Sequence, residues 1–163
     1  MFLISPMPID VPHWQSLLGD PGSGALVCFE GRVRDHHEGR RVLGLDYEAY
    51  ENLALSEGNR ILQSIQWKFG LRQMLCVHRT GPLRIGETAI WMGACSEHRD
   101  AAFAGVARAM TEIKTTVPIW KRERYADGES AWVLCREHGH VPGNGHDRGD
   151  DDGRGHAHPA ISS

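Results

Sequence analysis

The chain has 163 residues and a formal net charge of −3 at pH 7, which is enough for one domain with a real core and too short for two comfortable ones. The charge is unevenly spread, since residues 137–163 carry five acids and two arginines while residues 1–136 carry 16 charges of each sign. A neutral body argues against general nucleic-acid binding, which needs a basic stripe to displace counterions, and against an anionic membrane surface, so an anionic ligand must be met by a local cluster.

The opening MFLISPMPID has too short an apolar run for a signal peptide, and no stretch approaches a membrane span, so the cytoplasm is the expected compartment. ALVCFEGRVR (25–34) reads as a strand with Ala25, Val27 and Phe29 on one face. DHHEGRR is a polar loop, and LGLDYEAY (43–50) resumes alternation with Leu43, Leu45 and Tyr47 on one side. Residues 51–69 place Ala54, Ile61, Leu62, Ile65 and Phe69 at helical spacing. A strand follows over 71–81, then PLRIGE as a loop, then TAIWMGACS (88–96) as an apolar central strand. A second amphipathic helix runs to about Lys114, with Ala102, Phe103, Val106, Met110 and Ile113 on its stripe. Pro118 forces a break, because it disfavours the α region at residue 117 and has no amide proton. IWKRERY and SAWVLC form a final hairpin around ADGE. The order β, β, α, β, β, α, β, β predicts an α+β domain over residues 1–136.

From residue 137 the chain is rich in His, Gly and Asp and has almost no apolar residues, so it is expected to be a disordered tail. Its five histidines and four aspartates could weakly hold a divalent metal, but their spacing fits no defined site, and no metal site or resident cofactor is expected. The four cysteines (Cys28, Cys76, Cys95, Cys135) are far apart with no CxxC spacing. They read as buried reduced thiols.

Three basic clusters, GRVRDHH, SEHRD and IKTTVPIWKRER, fall at junctions between elements, where functional side chains are commonly presented. Arg99 stands in the first turn of a helix, where a cation opposes the macrodipole unless an anion binds there. Helix amides and a guanidinium together make an anion site, while pairing with Asp100 or Glu97 is the plain alternative. Arginines outnumber lysines 15 to 3, yet two of the three lysines, Lys114 and Lys121, lie in the third cluster. Lysine can lose its proton when desolvated or crowded by cations such as Arg34, Arg122 or Arg124, and then act as base or nucleophile; arginine cannot. As plain structure, Lys114 is a helix C-terminal cation and Lys121 a solvent-facing strand residue.

GRVRDHHEG, LDYEAY, HRTGPLRIGE, SEHRDAAFAG and IKTTVPIWKRE, in this order, resemble the large catalytic subunit of molybdopterin synthase, over about residues 4–135. The combination of SxHR with KxxxPxWKxE is the specific part. The resemblance implies an α/β hammerhead-type fold with an additional antiparallel sheet, and a sulfurtransferase of molybdenum cofactor biosynthesis. It implies a homodimer within a heterotetramer, each end binding a small ubiquitin-like sulfur carrier with a C-terminal Gly-Gly thiocarboxylate. Two sulfurs then pass in successive rounds to cyclic pyranopterin monophosphate, making the dithiolene of molybdopterin.

By the same resemblance Lys114 and Lys121 match the two essential lysines, and Arg34 the arginine of GxVR. His98 and Arg99 match the pair that helps bind the substrate's anionic end, supplied in some arrangements across the dimer interface. Glu123 matches the acid of WKxE and Phe29 an aromatic before GxVR. His37 stands where asparagine is common, a conservative change for hydrogen bonding. The absence of a C-terminal Gly-Gly argues against a carrier fusion. A dimeric anion- or carrier-binding module of the same fold without chemistry is the alternative, disfavoured because the lysines, Arg34 and SEHR are all present.

Overall fold

A computed structural model describes residues 1–128, 130 and 132–134. Phe2–Ser5 (β1) leads into the short helix Val11–Ser16 (α1), capped by the Asp10 carboxylate, which accepts from the His13 amide at 3.2 Å. Ala25–Arg32 (β2), His36–His37 (β3) and Arg40–Ala49 (β4) follow, then Glu51–Phe69 (α2). This helix has an acid in its first turn and stops at Gly70, whose φ of 62° puts it in the left-handed region. Gln73–Arg79 (β5), Gly81–Leu83 (β6) and Thr88–Ser96 (β7) precede Arg99–Thr116 (α3), and Ile119–Tyr125 (β8) and Trp132–Leu134 (β9) complete the described elements.

One sheet has the order β1-β5-β7-β2, with β1 parallel to β5 and the other pairs antiparallel. Helices α2 and α3 pack on it, burying Ile61, Leu62 and Ile65 of one and Val106, Met110 and Ile113 of the other against Met74, Cys76 and Met92. The other sheet has the order β3-β4-β8-β9, with β6 pairing to β4. A small core of Val33, Leu45, Leu83 and Ala89, with Tyr47 against it, lies beneath. The architecture is α+β with an added antiparallel sheet, as expected. Among the described residues no helix is long and apolar enough to cross a membrane.

Several expectations are corrected. β1 and α1 occupy a stretch given no structure by periodicity, because β1 is only four residues and takes its order from hydrogen bonding to β5. β3 and β6 lie in segments read as loops, and both are too short to show alternation. Leu43 does not share a face with Leu45 and Tyr47. The β4–β8 register shifts between Val42 and Gly44, and the bulge turns Leu43 outward, 54% exposed. Phe103 is 61% exposed, so the buried stripe of α3 is Ala102, Val106, Ala109, Met110 and Ile113. Cys28 is exposed, whereas Cys76 and Cys95 are buried free thiols as expected. Cys135 and the segment from 137 onward lie outside the described residues.

Gly58, inside α2, marks a close approach, since a Cβ there would lie 2.3 Å from the ring of the buried Phe2. Alanine in a helix interior is favoured over glycine by about 1 kcal/mol, but overpacking costs about 1–3 kcal/mol. Gly58→Ala is therefore expected to lower stability by about 1 kcal/mol in denaturant unfolding; a gain would show that β1 yields freely.

Candidate active site

The strand β8 presents Lys121, Glu123 and Tyr125 on one face, because side chains alternate along a strand. Arg122 and Arg124 fall on the other face, where Asp46 of β4 receives both, at 3.2 and 3.8 Å. They are therefore turned away from Lys121 and do not crowd it.

Lys121 Nζ donates to Glu123 Oε1 at 2.8 Å, and the two side chains are only 23% and 11% exposed. The Tyr125 hydroxyl donates to the other oxygen of the same carboxylate. Burial pushes the Glu123 carboxyl up, but the hydrogen bonds from Lys121 and Tyr125 outweigh it and hold the group below the usual range. Burial, and then the bond to Glu123, pushes the Tyr125 phenol up to about 12.

Lys121 and Glu123 form one wall of a cleft of about 120 Å³, whose other walls include Arg34, His36, His37, Leu45 and Tyr47. Arg34 arrives there because Val33, just beyond β2, is tied to the 84–87 turn by Val33 N to Glu87 O at 3.0 Å and Gly86 N to Val33 O at 2.8 Å. Arg32, also at the cleft, is engaged by Glu30 at 2.8 Å. Arg34 makes no ion pair among the described residues, so its guanidinium is available to an anion.

Lys114 sits in the last turn of α3, partly buried. Helix α3 ends at Val117, which is extended, and Pro118 starts the turn into β8. Lys114 does not line the cleft directly. It acts on the buried His78, whose ring packs edge-on against Tyr47 with centroids 4.9 Å apart. Tyr47 faces the cleft and stands opposite Lys121 in the β4–β8 ladder. Lys121 thus stands across the ladder from Tyr47, and Lys114 lies near the histidine that packs on it.

His98 and Arg99 are elsewhere. They begin α3, with side chains 83% and 82% exposed, and their contacts to Glu97 at 3.6 Å and Asp100 at 3.7 Å are long and solvated. Arg99 is 15 positions before Lys114, so at about 1.5 Å per helical residue the two are roughly 22 Å apart along α3. The chain does not bring its own SEHR motif to its own cleft. Phe29 lies on β2 opposite Met92, half-exposed near Gly31, and does not line the cleft.

Sequence reasoning missed Tyr47, Tyr125 and His78 as parts of this site. Tyr47 counted only as one member of an apolar face, and Tyr125 was simply the end of a strand. His78 lay in the HRTGPLRIGE motif, whose Arg79 pairs with Glu87 at 3.2 Å and whose Arg84 amide donates to Glu87 at 2.8 Å. That clamp closes the turn and sets β6 against β4 beneath Tyr47.

The MoaE protein family matches residues 4–116. The chain belongs to the MoaE family. Similar members include the molybdopterin synthase catalytic subunit of Dictyostelium discoideum, 37% identical over 146 residues, which span 88% of this chain and 92% of that protein. The Drosophila melanogaster catalytic subunit is 41% identical over 80% of this chain but only 36% of its own length. This chain therefore spans little more than a third of several Drosophila relatives. The crystal structure of molybdopterin synthase from Staphylococcus aureus superimposes with a TM-score of 0.75 at 34% identity, covering 80% of this chain and 94% of that one.

Burial pushes the His78 imidazole down to about 4, and Lys114 adds to the shift, while the bond between Nδ1 and the Arg79 carbonyl, 2.9 Å, opposes it. The folded protein holds this ring neutral, whereas in the unfolded chain it takes up a proton below about 6.5. Stability is therefore expected to fall between pH 6.5 and about 4 and to lose this component below that window. Denaturant melts at pH 7 and pH 5 should show a smaller difference in His78→Phe than in the wild type.

Proposed function

We propose that this MoaE family member is the catalytic subunit of a molybdopterin synthase. It transfers sulfur from the thiocarboxylated C-terminus of a small carrier protein to cyclic pyranopterin monophosphate. The observation that carries the reading is the Lys121–Glu123 pair in the wall of a cleft that also holds Arg34, which makes no ion pair among the described residues. A cyclic phosphate calls for a fixed cation, which Arg34 supplies. Opening that ring and adding sulfur to carbon calls for a group that can give and take a proton, which lysine can do and arginine cannot. Glu123 keeps the Lys121 ammonium directed into the cleft until the proton is needed. Lys114 approaches from the end of α3 and stabilises charge near Tyr47.

The reading includes a homodimer within a heterotetramer. What supports it is the separation within one chain: the His98 imidazole and the Arg99 guanidinium stand in solvent at the end of α3 remote from Lys114. In an isologous dimer each chain can lend this end of α3 to its partner's cleft, completing the anion site.

Two outcomes test the reading. In single-turnover conversion of cyclic pyranopterin monophosphate with thiocarboxylated carrier, Lys121→Arg should bind carrier yet lose about 100-fold or more in rate. A wild type that forms the complex and converts nothing would favour a binding module. Mixing inactive Lys121→Arg chains with inactive Arg99→Ala chains should restore about a quarter of wild-type activity, since random pairing of two-fold dimers leaves one site in four intact. No recovery on mixing would place Arg99 outside the partner's site.

A further inference from the structure

We propose that Tyr125 is the positioning residue of this site: clamped beneath Arg40, it holds the Glu123 carboxylate in the orientation that Lys121 engages. This rests on the reading of Lys121 as a reacting group. A carboxylate with one partner can swing about its terminal bond, but here both oxygens are assigned, Oε1 to Lys121 and Oε2 to the Tyr125 hydroxyl. The phenol itself is not free to move. The Arg40 guanidinium lies over its ring, 3.8 Å from the centroid, and Asp127 holds that guanidinium with two hydrogen bonds of 2.9 and 2.6 Å. Two further bonds fasten the 35–42 hairpin that carries Arg40: Ala126 N to Arg41 O at 3.0 Å and Val42 N to Asp35 O at 2.8 Å. The chain thus runs Asp127, Arg40, Tyr125, Glu123, Lys121, from the surface to the cleft wall.

Several charged and titratable groups surround Glu123. Lys121 and Tyr125 come from its own strand and His37 from β3, while Arg32, Arg34 and His36 line the same cleft, and Arg40 and Glu38 act on Tyr125 from the 35–42 hairpin. Of these, Tyr125 is the one whose hydroxyl can be removed while ring, stacking and net charge stay in place. Because its hydrogen bond favours the ionised carboxylate, deleting it should raise the pH at which Glu123 takes up a proton and releases Lys121.

The test is a pH titration of full-length protein labelled with ¹³C at the glutamate carboxyls, with the Glu123 signal assigned by its loss in Glu123→Gln. In Tyr125→Phe the Glu123 midpoint is expected to rise by about half a pH unit or more, and Arg40→Ala, which keeps the hydroxyl but frees the ring, to shift it the same way by less. Single-turnover rate in Tyr125→Phe is expected to fall about 3- to 10-fold, with the half-saturating substrate concentration unchanged. A Glu123 midpoint identical in wild type and Tyr125→Phe overturns the proposal, as does a moved midpoint with an unchanged rate. If Lys121→Arg keeps the wild-type rate, the reading of Lys121 fails separately, and the titration still decides whether Tyr125 positions Glu123.

Discussion

The antiparallel pairing of β4 with β8 is the constraint on which the rest of the site depends. Its register puts Tyr47 opposite Lys121 and Leu45 opposite Glu123, so the Lys121–Glu123 face of β8 continues a face of β4 that is itself fixed by packing on Leu83 and Ala89. A slip of one residue would exchange the faces. Lys121 and Glu123 would turn away from the cleft, and Arg122 and Arg124 would enter it. The bulge at Leu43 helps prevent this, because it absorbs one residue at the hairpin end of β4 and leaves the register from Gly44 onward intact.

The same alternation explains why lysine can stand among so many arginines. In sequence, Lys121 is surrounded by cations; in space, the neighbouring arginines share Asp46 on the opposite face, and the nearest charge to Lys121 is an anion. The cations that share the cleft with Lys121 are Arg32 and Arg34, from the end of β2 and just beyond it, and not its neighbours in sequence.

Long periodic segments were legible from sequence. α2 and β7 begin and end where their patterns do, and the break before Pro118 follows from its ring and missing amide proton. Short strands were not, since β1 and β6 exist by virtue of partners far along the chain, and β3 is a two-residue arm of a tight hairpin with β4, too short to show alternation. Leu43 and Phe103 show the other failure: periodicity says which residues could share a face, and a bulge or an uncovered helix edge decides which do. For the cleft, residue type pointed to Lys121 and Arg34, which line it, and to Lys114, which does not. Tyr47, His78 and Tyr125 were hidden, because a tyrosine or histidine in an apolar strand looks the same whether it fills space or steers a neighbour.

Helix α3 separates two groups of candidate site residues. One end places Lys114 near the buried His78, which packs against Tyr47 of the same chain. The other end carries His98 and Arg99 into solvent, against the favourable direction of the helix dipole. Solvated contacts with Glu97 and Asp100 offset little of that cost. In the proposed dimer an anion shared with a second copy would remove it, because helix amides and guanidinium would then face the same negative charge. On that arrangement the rigid length of α3 fixes the distance between the two half-sites of a dimer, and a substrate phosphate joins a cation from each chain.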